Sequence, residues 1–174
     1  MRSFSWPVGA GSLKSFRDRS NHELEDSELK DESVLVFIDG TICDDRHRIH
    51  LFGTAEFYSE ENLMNDEPVA GSVRFLNELA ERYRIIYIGA RPESILSITQ
   101  KWLDRNGFPD GKVYLAAEQS ERIRIAESVL ADENIVLGIG DRWDDNQLHL
   151  ILGCKSVIVK EYEGDFEYIK RYID

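Results

Sequence analysis

Three polar stretches in this chain each follow directly on an apolar run. Asp39-Gly40-Thr41 follows residues 34–38, Gly89-Ala90-Arg91 follows 85–88, and Gly140-Asp141, with Asp144 and Asp145 behind it, follows 135–139. Two of the three carry carboxylates. Carboxylates brought together from two loops suit a hard cation and a phosphoryl group; the alternative is that each acid is a turn residue capping the helix that follows. Arg46, His47, Arg48 and His50 form a compact cationic group just after the Gly-Thr turn. Arginines there can grip a phosphate in bidentate fashion, or the group is a solvated stretch balancing Asp44 and Asp45. Cys43, His47 and His50 have a spacing that zinc could use, with no fourth ligand nearby. Gly138-Ile139-Gly140 is not a dinucleotide fingerprint, because Trp143 stands at the third glycine position. Trp143 itself is expected to pack beneath its loop rather than stack on a ligand.

Elements of the right kind surround these loops. Val34 to Ile38 is a β-branched and aromatic run of the sort found in strands buried on both faces. Further strands are expected at 85–88, 113–115, 135–139 and 157–159, separated by helical spacings: Val69, Val73, Leu76, Ala80 and Tyr83 after a cap at Asp66; then Ile95, Ile98, Trp102 and Leu103 after Pro92; then Ile123, Ala126 and Leu130. A short helix should end near Gly153, and Phe166, Ile169 and Ile173 suggest a last one. Strand alternating with helix predicts an α/β fold, a parallel five-stranded sheet with helices on both faces. Ligands of such sheets sit at the carboxyl ends of the strands, where the three polar stretches lie. Residues 44–65 are polar and irregular, and Phe52, Phe57 and Tyr58 within them are expected to anchor a small lid. Tyr162, Tyr168 and Tyr172 are expected to pack the last helix.

Composition narrows the class further. The chain has 174 residues, 42% apolar and 31% charged, with a net charge of −12. This is one domain with room for a core. An acidic surface disfavours duplex nucleic acid as a partner, and the longest apolar run, Val34 to Ile38, is far too short for a membrane span. Two cysteines give no disulfide framework, so a reducing, cytoplasmic setting is expected. Residues 1–33 lack periodicity and read as a flexible extension: residues 1–20 carry +3 and residues 21–33 carry −5. A basic, Ser-containing start is also what an organelle transit peptide looks like.

The segment VLVFIDGTICDD resembles the first signature of the haloacid dehalogenase (HAD) superfamily, an apolar strand ending in D-x-D-G-T; IIYIGARPE resembles its second, and GIGDRWDDN its fourth. Asp39 to Asp44 followed by His47-Arg48 is similar to a small-cap phosphatase branch. The resemblance covers residues 34–160. It implies a Rossmann-like sheet ordered 5-4-1-2-3 across residues 34–174, with a small cap at 44–65. It also implies roles for named positions. The nucleophilic Asp of the family falls at Phe37, which cannot attack phosphorus or ligate a metal. The acid–base Asp matches Asp39. The phosphate-binding hydroxyl falls at Gly89. Thr41 and Arg91 match retained phosphate-side positions, Arg46 and Arg48 would extend them, and Arg122 or Arg124 lies nearest to the third-signature Lys, with Lys112 before the strand. Magnesium would be held by the Asp39 backbone carbonyl, Asp141 and Asp145, with one anionic ligand missing, so weak binding is expected.

Three functions follow. The first is a HAD-like protein with a degenerate centre, catalytically impaired, binding an anionic ligand such as a phosphorylated small molecule, or a protein partner. The second is a magnesium-dependent phosphomonoesterase with an atypical centre. The third is an acidic interaction scaffold.

Overall fold

The computed structural model describes residues 31–173. The extension and the transit-peptide alternative therefore fall outside the described residues up to position 30. No helix among the described residues is long and apolar enough to cross a membrane.

Seven strands are present among the described residues: β1 Ser33–Phe37, β2 Cys43–Asp44, β3 Glu67–Pro68, β4 Arg84–Gly89, β5 Gly111–Leu115, β6 Ile135–Gly140 and β7 Lys155–Ile158. The helices are α1 Glu60–Met64, α2 Ser72–Ala80, α3 Leu96–Arg105, α4 Gln119–Arg124, α5 Trp143–Leu152 and α6 Phe166–Ile169. The main sheet is wholly parallel, in the order β5-β4-β1-β6-β7. Numbered by its own five strands, that is the 5-4-1-2-3 order expected. β1 is central, pairing Val36 with Tyr87 on one side and Ile139 on the other, which explains why all five of its residues are buried.

Alternation along β1 splits the core in two. Val34, Val36 and Ile38 face Phe75, Leu76 and Trp102, while Leu35 and Phe37 face Ile86, Ile88, Leu130 and Leu148. The second layer also takes in a histidine. His149 is fully buried against Gly138, where a Cβ would stand 2.1 Å from the imidazole. The Phe37 ring meets it edge-on at 5.6 Å. Burial holds its pKa down at about 4.

Several local expectations need correction. Asp66 does not cap a helix: α2 is preceded by Gly71, and Asp66 is buried elsewhere. Pro92 opens a 3₁₀ turn, Glu93–Ile95, and α3 starts only at Leu96. α4 passes into a π-helical turn over Ile125–Val129. The stretch 44–65 is not irregular. It contains 3₁₀ turns at Arg46–Leu51 and Ala55–Tyr58 and then α1, capped by Ser59, whose hydroxyl accepts the Asn62 N–H. The β2–β3 ribbon closes its base.

Candidate active site

The loop after β1 is drawn tight because the N–H groups of Ile42 and Cys43 both bond to the Ile38 carbonyl. Gly40, at φ +80°, lets this loop lie directly on the loop after β6: a Cβ there would stand 2.5 Å from Asp141 Oδ2. Thr41 is fully buried and its hydroxyl donates to Asp141 Oδ1 at 2.5 Å. The Asp39 and Asp141 loops thus converge as the sequence implied, but Thr41 serves to join them and is not open to a ligand.

Asp39 turns to the other side. Its Oδ1 accepts from Arg91 Nε at 2.7 Å and its Oδ2 from the Ala90 N–H at 3.1 Å. A backbone N–H and a guanidinium converging on one point form an anion receptor. Here the anion is the chain's own carboxylate.

Arg91 and the predicted ligand-binding Arg48 are each only 1% exposed. Both are directed at Asp66, whose side chain is fully buried. Arg48 holds it in a fork, Nε to Oδ1 at 2.7 Å and Nη2 to Oδ2 at 2.8 Å; Arg91 Nη2 adds 3.4 Å, His47 Nε2 3.0 Å and Cys43 Sγ 3.3 Å. The Arg48 guanidinium also lies over the Phe57 ring at 4.3 Å. The cationic cluster is therefore an internal ion-pair network. Arg46 stays at the surface but is forked onto Asp44. Asp66 was missed as a site residue because its partners lie 18 and 25 positions away and only the fold unites them.

A metal finds a poor fit here. Asp141 Oδ2 is buried with no hydrogen-bond partner, the one feature that would suit a cation. Phe37 offers no side-chain oxygen, both Asp39 carboxylate oxygens are engaged, which leaves only its backbone carbonyl, and Asp145 Oδ2 accepts the N–H groups of Asp141 and Arg142 at the start of α5. Among the described residues no group of three or more His, Cys, Asp or Glu could hold a metal ion. This covers the zinc spacing of Cys43, His47 and His50 as well.

Burial raises Asp141 to about 7, with nearby Asp145 adding to it and the Thr41 hydrogen bond opposing; burial also raises Asp145 to about 6. A carboxyl raised in the folded state keeps a proton that the unfolded chain releases near pH 4. Its contribution to stability is complete below that pH and is lost as pH rises through about 7. His149, lowered by burial, works oppositely: its contribution is present above the ordinary histidine value and is lost as pH falls toward about 4. We expect Asp141→Asn, permanently neutral, to gain stability relative to the natural protein between pH 4 and 8. His149 is common to both and cancels. Urea midpoints that move in parallel across this range would contradict it.

The remaining predicted residues scatter. Phe37 is 4% exposed and lies in the second core layer, so its ring is not among the residues lining the cleft. Gly89 is buried, and a Cβ there would be 3.5 Å from Asp39 Oδ2. Arg122 does not reach the cleft: it donates to the carbonyls of Ala116 and Ala117 and to Gln119 Oε1, and it lies 3.5 Å from Asp144. Trp143 is 82% exposed, contrary to the packing expected of it. Tyr162 does not pack the last helix. At φ 61° it donates its N–H to the Gly40 carbonyl and its hydroxyl to Asp45 Oδ1. What remains is a cleft of about 110 Å³ between Asp39, Arg142 and Tyr162 on one side and Ile49, Phe52 and Tyr58 on the other.

No family model matches the chain, and no curated protein matches it. Solved structures do. A chain of the Pnkp1/Rnl/Hen1 RNA repair complex aligns with a TM-score of 0.60 at 14% identity, over 80% of this chain, which spans only 45% of that one. The tungstate-bound class C acid phosphatase from Bacillus anthracis aligns with a TM-score of 0.56 at 21% identity, over 87% of this chain and 76% of that one. A haloacid dehalogenase-like hydrolase from Streptococcus pneumoniae aligns with a TM-score of 0.59 at 14% identity, over 83% and 99%. The chain thus has the α/β fold of the haloacid dehalogenase-like hydrolases and phosphatases.

Proposed function

We propose that this protein is a non-catalytic member of that phosphatase-type fold, whose strand-end cleft is closed to phosphate and whose mouth binds a protein segment. The observation that carries the reading is the Asp39 carboxylate lying on Ala90 N–H and Arg91 Nε, where an incoming anion would have to bind. Phe37 and Gly89 add no nucleophile and no hydroxyl, so the family chemistry has nowhere to start. Losing a nucleophile from a concerted catalytic set costs on the order of 10⁶ in rate. The buried guanidiniums of Arg48 and Arg91 are spent on Asp66 and Asp39, which argues against a free anion as ligand. Exposed Ile49 and Phe52 at the mouth argue for an apolar contact. Magnesium, if it binds, does so weakly at Asp141.

A second reading, a magnesium-dependent phosphomonoesterase, is favoured by one observation, the buried Asp141 Oδ2, which has no hydrogen-bond partner and only Arg142 Nε at 3.7 Å. Aryl phosphate hydrolysis with and without magnesium separates the two. We expect turnover of the natural protein to equal that of Asp39→Asn. Magnesium-dependent turnover lost in Asp39→Asn would establish the phosphatase.

A further inference from the structure

The mouth of the cleft has two properties that do not serve the site below it. Ile49 and Phe52 are 53% and 72% exposed, and both line the cleft. Phe52 is held upright, its ring edge-on to Phe57 at 5.4 Å, so it is presented by packed structure. Around this apolar spot the field is acidic. With the buried network of Arg48, Asp45 and Asp66 set aside, residues 44–67 still carry Asp44, Glu56, Glu60, Glu61 and Glu67 against Arg46. On the facing loop, Glu161 and Glu163 have side chains 42% and 63% exposed, each shared with one base, Arg142 and Lys160. An apolar centre with a rim of one charge selects a segment with aromatic anchors and the opposite charge.

The chain encodes such a segment. Residues 1–20 contain Phe4, Trp6, Leu13 and Phe16 among Arg2, Lys14, Arg17 and Arg19, with Asp18 as the single acid. Residues 21–30 lead from there to the start of the described chain, at the amino end of β1. Ten residues can span at most about 33–36 Å. The five residues of β1 rise about 17 Å, so the connection is long enough to bring residues 1–20 to the opposite end of the sheet. A second copy fits less well, since docking mouth to mouth would set two acidic inserts against each other.

We propose that the cleft mouth, centred on Ile49 and Phe52, docks the chain's own residues 1–20. This rests on the reading of the mouth as a protein-binding surface. It adds the identity of the segment and makes the docking intramolecular.

Zero-length carbodiimide cross-linking of the full chain tests it, with ¹⁴N and ¹⁵N chains mixed so that links within and between molecules are distinguished by mass. We expect links from Lys14 to Glu56, Glu161 or Glu163 within one chain, weakening as salt is raised. The yield should fall at least fivefold in Ile49→Ser/Phe52→Ser. It should fall equally in Arg17→Glu/Arg19→Glu, which changes none of the described residues and serves if the first pair fails to fold. Three results would overturn the proposal: no Lys14 links to the mouth, links only between chains, or links to Asp110 beside the hollow of about 470 Å³ at the amino ends of the strands. Failure of the non-catalytic reading would show separately, as magnesium-dependent turnover in the hydrolysis assay with the cross-links unchanged.

Discussion

Asp66→Ala should be the most damaging single change outside the apolar core, costing about 3–5 kcal/mol, the usual result of removing one partner from a buried ion pair. Asp66 takes both arms of the Arg48 fork, with Asp45 3.5 Å from Arg48 Nη2 as its second carboxylate, and shares Arg91 with Asp39. Without it, two guanidiniums that are each 1% exposed would face each other across a cavity. Their desolvation is already complete, so the lost attraction is not returned by water. Arg48→Met should cost less, because Asp66 would keep Arg91 and His47. A domain of this size typically has only 5–15 kcal/mol in hand, so Asp66→Ala should shift the urea midpoint severely, and it should also loosen the insert through Phe57. A loss under about 1 kcal/mol would mean that the network contributes little.

Phe37→Asp, the change that would restore the family's nucleophile, should likewise destabilise strongly and confer no activity. Removing a buried phenyl ring costs about 3–5 kcal/mol by itself, and the new carboxylate would sit among Leu35, Ile86, Ile88 and Leu148. Its one polar neighbour would be His149, whose Nε2 has no partner. The site could be relieved only by taking up a proton, on the new carboxyl or on the imidazole, so the variant should be least stable at high pH. Gly89→Thr should be milder: its Cβ would stand 2.8 Å from the movable tip of Leu115. Even the two together should leave aryl phosphate hydrolysis at background, because Asp39 still holds Ala90 N–H and Arg91. Thermal melts from pH 5 to 9 and a hydrolysis assay on the purified variants check both halves.

The fold was legible because its signals are local. A run such as Val34 to Ile38 can be read as a doubly buried strand without knowing its neighbours, and strand–helix alternation then leaves few topologies. The convergence of the Asp39 and Asp141 loops followed from that topology. What each charged side chain does was not legible. Arg48 and Arg91 look like ligand-binding residues in the sequence, and they are buried because Asp66 and Asp39 meet them from distant positions. Asp66 sits before a helical pattern, so it reads as a cap, yet Gly71 takes that place. Trp143 opens a helix whose buried face is carried by Leu148 and His149, leaving the indole outside. Tyr162 gave no signal at all, since its role depends on a left-handed backbone and on contacts with Gly40 and Asp45.

Self-occupancy of the anion receptor is tested most directly by calorimetric titration of inorganic phosphate, without magnesium, into the natural protein and Asp39→Ala. Removing the carboxylate frees the Ala90 N–H and Arg91 Nε while Asp66 still holds Arg91 in place. Two charge-assisted donors are worth well over the 1.4 kcal/mol that corresponds to tenfold in affinity. The expected result is no measurable binding to the natural protein and binding at least tenfold tighter in Asp39→Ala. Phosphate binding to the natural protein that Asp39→Ala leaves unchanged or weakens would contradict it.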